Sequence, residues 1–136
     1  MKLIRFLIIV FVAISMNMSC SAQADRKKEN TTTVKNDKVE VFYFHYTRRC
    51  ATCQAVEKVT KETVQELYGN KISFEGVNLD EPDGEIKGHK LGISGQTLLI
   101  KSGDTKINLT NEGFMYARSN PEKLKEIIQE KVDPLI

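Results

Sequence analysis

Cys50 and Cys53 are separated by Ala51-Thr52. Two thiols at this spacing can exchange with other disulfides, form a permanent structural bridge, or hold a soft metal ion such as Cu(I). A loop this short gains little unfolded-state entropy from a bridge, which weakens the purely stabilising reading. A zinc or copper site usually needs further ligands. The chain has 2 histidines, His45 and His89, and no second Cys-x-x-Cys, so a Cys₂His₂ site would require the fold to bring His89 close. Thiol–disulfide exchange is therefore the favoured chemistry. The 3 cysteines of the chain are completed by Cys20, which lies in a segment of different character.

Exchange asks for unequal thiols. The run Cys50 to Tyr68 carries Val56, Val59, Thr63, Val64 and Leu67 at helical spacings of three and four, and Gly69-Asn70 stops it. Cys50 then falls at the helix start, where free backbone N–H groups and the positive end of the helix dipole favour a thiolate. Cys53 falls one turn in on the same face, where it is more protected and suited to resolve a mixed disulfide formed on Cys50. Arg48 and Arg49 immediately precede Cys50. A cation near a thiolate favours the ionised form, so at least one of them is expected to depress the Cys50 pKa, the alternative being two solvated loop residues.

The surrounding elements must position this pair. Val39 to Tyr46 is β-branched and aromatic on both alternations, interrupted by Glu40, which predicts a strand buried on both faces in the middle of a covered sheet. Its aromatic residues read as core and flank rather than as a nucleic-acid platform. Ile72 to Leu79 predicts a second strand, 80–84 a turn, and Glu85 to Lys90 a short helix. Thr97 to Ile100 and Thr105 to Leu109 predict two further strands joined by a hairpin turn at Ser102-Gly103-Asp104. Asn111-Glu112-Gly113 reads as a break, and Asn120-Pro121 opens a last helix with Leu124, Ile127, Ile128 and Val132 as its buried stripe. A strand, crossover helix and second strand imply a parallel pair. The acids Asp80, Glu81, Asp83 and Glu85 do not have calcium-loop spacing and read as a solvated turn, while Glu57 and Glu62, with Lys58 and Lys61 beside them, read as a solvated helix face.

The N-terminus has the layout of a secretory signal peptide: Lys2 and Arg5, an apolar run from Phe6 to Ile14, then small and polar residues. That run is about half the roughly 20 residues a spanning helix needs. Ala22-Gln23-Ala24 fits a small-x-small cleavage site, giving a signal over 1–24. The alternative is a lipoprotein signal ending before a lipidated Cys20; Ser19 suits that and Asn17 does not. Residues 25–37 are polar and read as a flexible linker, leaving 38–136 as one domain. Without Lys2 and Arg5 the 20 basic residues become 18, against 18 acidic ones. A mature chain near zero net charge implies no nucleic-acid partner.

From Val39 to Val132 the chain resembles the thioredoxin superfamily. Val41 to Tyr46 leading into Cys50-Ala51-Thr52-Cys53 resembles its redox strand and active-site turn. Val77-Asn78-Leu79-Asp80 with Glu81-Pro82 resembles the second strand and its loop, and Leu91 to Ile100 the segment that approaches the active site and enters the third strand. The resemblance implies an α/β fold with a central four-stranded mixed sheet, β-α-β-α-β-β-α, and helices on both faces. It implies a monomeric, exported (periplasmic, soluble or lipid-anchored) thiol–disulfide oxidoreductase with no cofactor. Cys50 would be the nucleophile and Cys53 the resolving thiol, joined as a redox disulfide. Its partners would be exported protein thiols and disulfides and a membrane dithiol electron donor. A binding module that holds Cu(I) or docks a partner without turnover is the alternative. The chain also departs from the family. Gln96 stands before Thr97 where the family has a cis-proline that helps hold substrate, Arg49 replaces an aromatic residue, and no acid lies near Phe44. A non-proline cis bond costs about 2.5–4 kcal/mol, which favours a trans bond at Gln96. Gln96 and Thr97 join Arg48 and Arg49 as supporting site residues, and His45 is the nearest substitute for the missing acid.

Overall fold

The computed structural model describes residues 38–136. The predicted signal with Cys20 and the predicted linker over 25–37 lie outside the described residues. The first strand, β1 (Glu40–His45), is buried at every position after Glu40. It lies between β2 (Ser73–Asn78), to which it is parallel, and β3 (Thr97–Ser102), to which it is antiparallel. The strand β4 (Thr105–Asn108) closes the hairpin with β3, so the sheet order is β2-β1-β3-β4. This central position explains why β1 is apolar on both alternations: each face of the sheet has its own covering layer.

On one face, Val41, Tyr43, Leu98 and Ile100 pack against α1 (Ala51–Tyr68), α3 (Thr110–Tyr116) and α4 (Pro121–Val132), whose buried contributions include Val56, Val64, Leu124, Ile128 and Val132. On the other, Phe42, Phe44, Val77 and Leu99 gather Leu79, Leu91 and Ile93 around α2 (Pro82–Leu91). The four-stranded mixed sheet with helices on both faces is the thioredoxin-like α/β architecture that the resemblance implies, with one helix added.

That added helix is α3, where the sequence reads as a break. Gly113 sits inside it because the helix lies close to the core: a Cβ there would be 3.2 Å from Val56 Cγ1 and 3.4 Å from Leu98 Cδ2. Asn108 Oδ1 accepts from the Thr110 backbone N–H at 2.9 Å and from the Thr110 hydroxyl, satisfying a donor at the helix start. The predicted turn over 80–84 is shorter than expected, because Pro82 begins α2. Proline's fixed φ and missing N–H suit the first helical position. Asn120 caps α4 as its sequence predicts, accepting from the Lys123 N–H at 3.2 Å.

The join between β2 and α2 is tight. A Cβ on Gly84 would lie 1.8 Å from the carbonyl oxygen of Asn78, a backbone atom that cannot swing aside. Gly84→Ala must therefore push α2 off the end of β2, and overpacking of this kind costs about 2–3 kcal/mol. Urea unfolding should show that loss at an unchanged m-value; a midpoint equal to that of the parent protein would contradict the close approach.

Candidate redox site

β1 ends at His45, and the chain turns through 46–49 before α1 begins. Backbone and side-chain bonds fix this turn on two sides. Leu79 N–H donates to the His45 carbonyl at 2.7 Å, Thr47 N–H to Asp80 Oδ2 at 2.7 Å, and Asn78 Nδ2 to the Thr47 hydroxyl at 3.0 Å. Across the site, the Tyr46 hydroxyl donates to the Ser94 carbonyl at 3.3 Å. The acidic turn is thus more than solvated surface: Asp80 anchors the loop that delivers Cys50.

Cys50 is the N-cap of α1. Its backbone is extended (φ −79°, ψ 165°), its carbonyl accepts the first helical bond from Gln54 N–H at 3.1 Å, and its Sγ accepts from Cys53 N–H at 3.2 Å. Sulfur therefore occupies the place usually filled by a capping Ser or Asp oxygen. The spacing of three residues that makes the redox pair is also the spacing of a cap. Cys50 is exposed and Cys53 is 3 % exposed. The two form a disulfide with Cα atoms 5.1 Å apart. The predicted asymmetry between an accessible and a protected sulfur is thus present in the structure.

Of the supporting residues, Arg49 pairs with Glu57 on the second turn of α1, and Arg48 is exposed with no ion pair among the described residues. Arg49 thus brings a neutralised pair, not a lone cation, to the approach to Cys50. Gln96 lies against Cys53, its Nε2 at 3.6 Å and its Oε1 at 3.7 Å from Sγ. There are no cis peptide bonds among the described residues, so the bond at Gln96 is trans, as its cost in cis predicts. Thr97 is buried in register with Phe44, and its hydroxyl donates to the Gly95 carbonyl at 3.0 Å, which pins the backbone on both sides of Gln96.

Glu57, read from sequence as part of a solvated face, is instead half-buried over the sheet. A Cβ on Gly76 would lie 2.6 Å from Glu57 Oε1 and 3.6 Å from His45 Nε2, so the missing side chain in β2 makes the room that the carboxylate and imidazole share. The glycine inside a strand was the available signal, since such a residue often marks a close approach. His45 donates from Nδ1 to the Tyr46 carbonyl at 3.0 Å. His89 is exposed on α2 with Glu85 at 3.8 Å. Among the described residues no group of three or more His, Cys, Asp or Glu side chains could hold a metal ion.

Below this cluster, Tyr43 is fully buried and its hydroxyl has no hydrogen-bond partner among the described residues. Burial pushes its phenol up to about 12; the Glu57 carboxylate adds to the rise and the Arg49 guanidinium opposes it. The unfolded phenol ionises near pH 10. With the folded value raised, this group's contribution to stability is complete below pH 10 and is lost as the pH climbs towards 12. Urea unfolding between pH 7 and 11.5 should show Tyr43→Phe removing part of the alkaline loss. At pH 7 the substitution should leave stability within about 1 kcal/mol of the parent or raise it, because it removes an unsatisfied buried hydroxyl. A cost of several kcal/mol at pH 7 would contradict this reading.

No protein-family model and no curated protein sequence matches the chain. Several solved structures are similar to it. Thioredoxin O2 from Arabidopsis thaliana, in its oxidised state, is 21% identical over 70% of this chain and 76% of its own, with a TM-score of 0.48. Thioredoxin f2 from Chlamydomonas reinhardtii is 19% identical over 70% and 80%, with a TM-score of 0.45. A malarial protein is 24% identical over 52% and 75%, with a TM-score of 0.42.

Proposed function

We propose that the chain is an extracytoplasmic thiol–disulfide oxidoreductase acting through Cys50 and Cys53. The observation that carries the proposal is the disulfide between an exposed helix N-cap sulfur and a buried sulfur one turn further in. Reduced, the Cys50 thiolate is stabilised where it sits by the Cys53 N–H and the positive end of α1. It attacks a substrate disulfide, forming one S–S bond as the substrate's breaks, and one substrate sulfur leaves as a thiolate. Cys53 then attacks Cys50 Sγ, the mixed disulfide breaks, and the second substrate sulfur leaves. The substrate gains two electrons and the chain ends as the Cys50–Cys53 disulfide. Run in reverse, the same steps donate a disulfide, and the potential of the pair sets the direction.

The basic, apolar and small-residue order of the N-terminal segment supports export, with Cys20 as the lipidation alternative to cleavage after Ala24. A reductant outside the cytoplasm is discharged at each turnover, so a membrane dithiol donor that reopens the Cys50–Cys53 disulfide belongs to the same proposal. The substrates are then exported proteins with accessible disulfides.

Cys50→Ser and Cys53→Ser should both abolish reduction of insulin disulfides. Only Cys53→Ser should retain a covalent adduct, detected by intact mass and released by dithiothreitol, because it keeps the nucleophile and removes the resolving thiol. Insulin reduction that survives in either variant, or an adduct on Cys50→Ser instead, would contradict the assigned roles.

A further inference from the structure

Buried at 3 % exposure, Cys53 has almost no solvent to support an ionised sulfur. Beyond its bond to Cys50, the polar side chain at its Sγ is that of Gln96. The two ends of the carboxamide are nearly equidistant from the sulfur, at 3.6 Å for Nε2 and 3.7 Å for Oε1. An amide so placed serves either protonation state without turning over. Oε1 accepts from a Cys53 S–H, and an Nε2–H donates to the sulfur once it is a thiolate or half of a disulfide. The backbone holding it is fixed by the Thr97 hydroxyl on Gly95 and by the pairing of Thr97 with Phe44.

We propose that Gln96 is a catalytic residue of the resolution step, in which it stabilises the anionic sulfur of Cys53; this rests on the oxidoreductase reading. In the mixed disulfide the Cys53 thiol gives its proton to a water molecule at its small exposed edge, while Nε2–H remains directed at the sulfur. The thiolate attacks Cys50 Sγ, the Cys50–Cys53 bond forms, and the bond from Cys50 to the substrate sulfur breaks. The electron pair leaves with the substrate thiolate, which takes a proton from solvent. A charge-assisted bond from Nε2 is stronger than the neutral bond it replaces, so it favours the ionised state in a site where burial alone opposes it.

The test separates the contact from turnover. In the full chain carrying Cys50→Ser, which keeps a capping oxygen at the start of α1, Cys53 is the only thiol of the described domain, and its ionisation can be followed, apart from Cys20, by the alkylation rate of its own peptide against pH. Adding Gln96→Leu should raise the midpoint by about one unit. Adding Gln96→Glu, which keeps the shape and replaces the donor with a negative charge, should raise it further. With Cys50 restored, Gln96→Leu should slow release of 2-nitro-5-thiobenzoate from a preformed Cys50 mixed disulfide about tenfold at pH 7. The deficit should close as the pH rises past the new midpoint. A merely structural role would lower thermal stability without moving the midpoint. A midpoint unchanged in both variants overturns the proposal, even if the parent protein reduces insulin normally. A shifted midpoint in a protein that reduces no disulfide upholds the contact with Cys53 and overturns only the oxidoreductase reading on which the catalytic role rests.

Discussion

The burial of β1 on both faces is the constraint from which the rest of the molecule follows. A strand with Val41 and Tyr43 on one side and Phe42 and Phe44 on the other needs sheet neighbours along both edges and a helical layer over each face. A parallel partner on one edge demands a crossover, and α1 is that crossover. Its first turn must therefore begin where β1 leaves the core. The exposed cysteine at the cap is a consequence of this topology: the chain emerges from the sheet and must enter the helix within a few residues, and Cys50 is the residue that makes the turn.

Around that point the structure sorts polarity by side. Towards β2, the vacancy left by Gly76 admits Glu57, whose charge is answered by Arg49 and whose field reaches the buried Tyr43 phenol. Towards β3, the approach to Cys53 is uncharged: Gln96 meets the sulfur with an amide, and Thr97 is turned back onto its own backbone. An ion pair on one flank and a neutral amide on the other leave the helix terminus and the exposed Arg48, unpaired among the described residues, as the sources of positive potential on the approach to Cys50. Buried thiol chemistry is sensitive to such an arrangement, because a charge in a low-dielectric site acts more strongly than the same charge in water.

Much of this was legible before any coordinates. The two-sided apolar pattern of Val39 to Tyr46, the stripe on α1, the hairpin at Ser102-Gly103-Asp104 and the Asn120-Pro121 start each depend on neighbours in sequence, and local rules describe them. The misreadings arose where a residue answers to a distant partner. Gly113 reads as a breaker, yet it lies within a helix because Val56 and Leu98 leave little room for a Cβ. Glu57 has the composition of a solvated face, and only the absence of a side chain at Gly76 brings it inward. Asp80 binds the Thr47 amide across 33 residues of sequence. Gln96 marked a departure from the thioredoxin pattern; its closeness to Cys53 emerges only when β3 pairs with β1.

The central claim is that Cys50 and Cys53 are a reversible redox couple, and an equilibrium titration against glutathione and dithiothreitol buffers, followed by alkylation and intact mass, tests it most directly. The account predicts a single two-electron transition within the range spanned by dithiol exchange proteins, roughly −270 to −120 mV, with the oxidised form carrying the Cys50–Cys53 bond. A pair that never oxidises, or a disulfide that no dithiothreitol concentration opens in the folded protein, would contradict it.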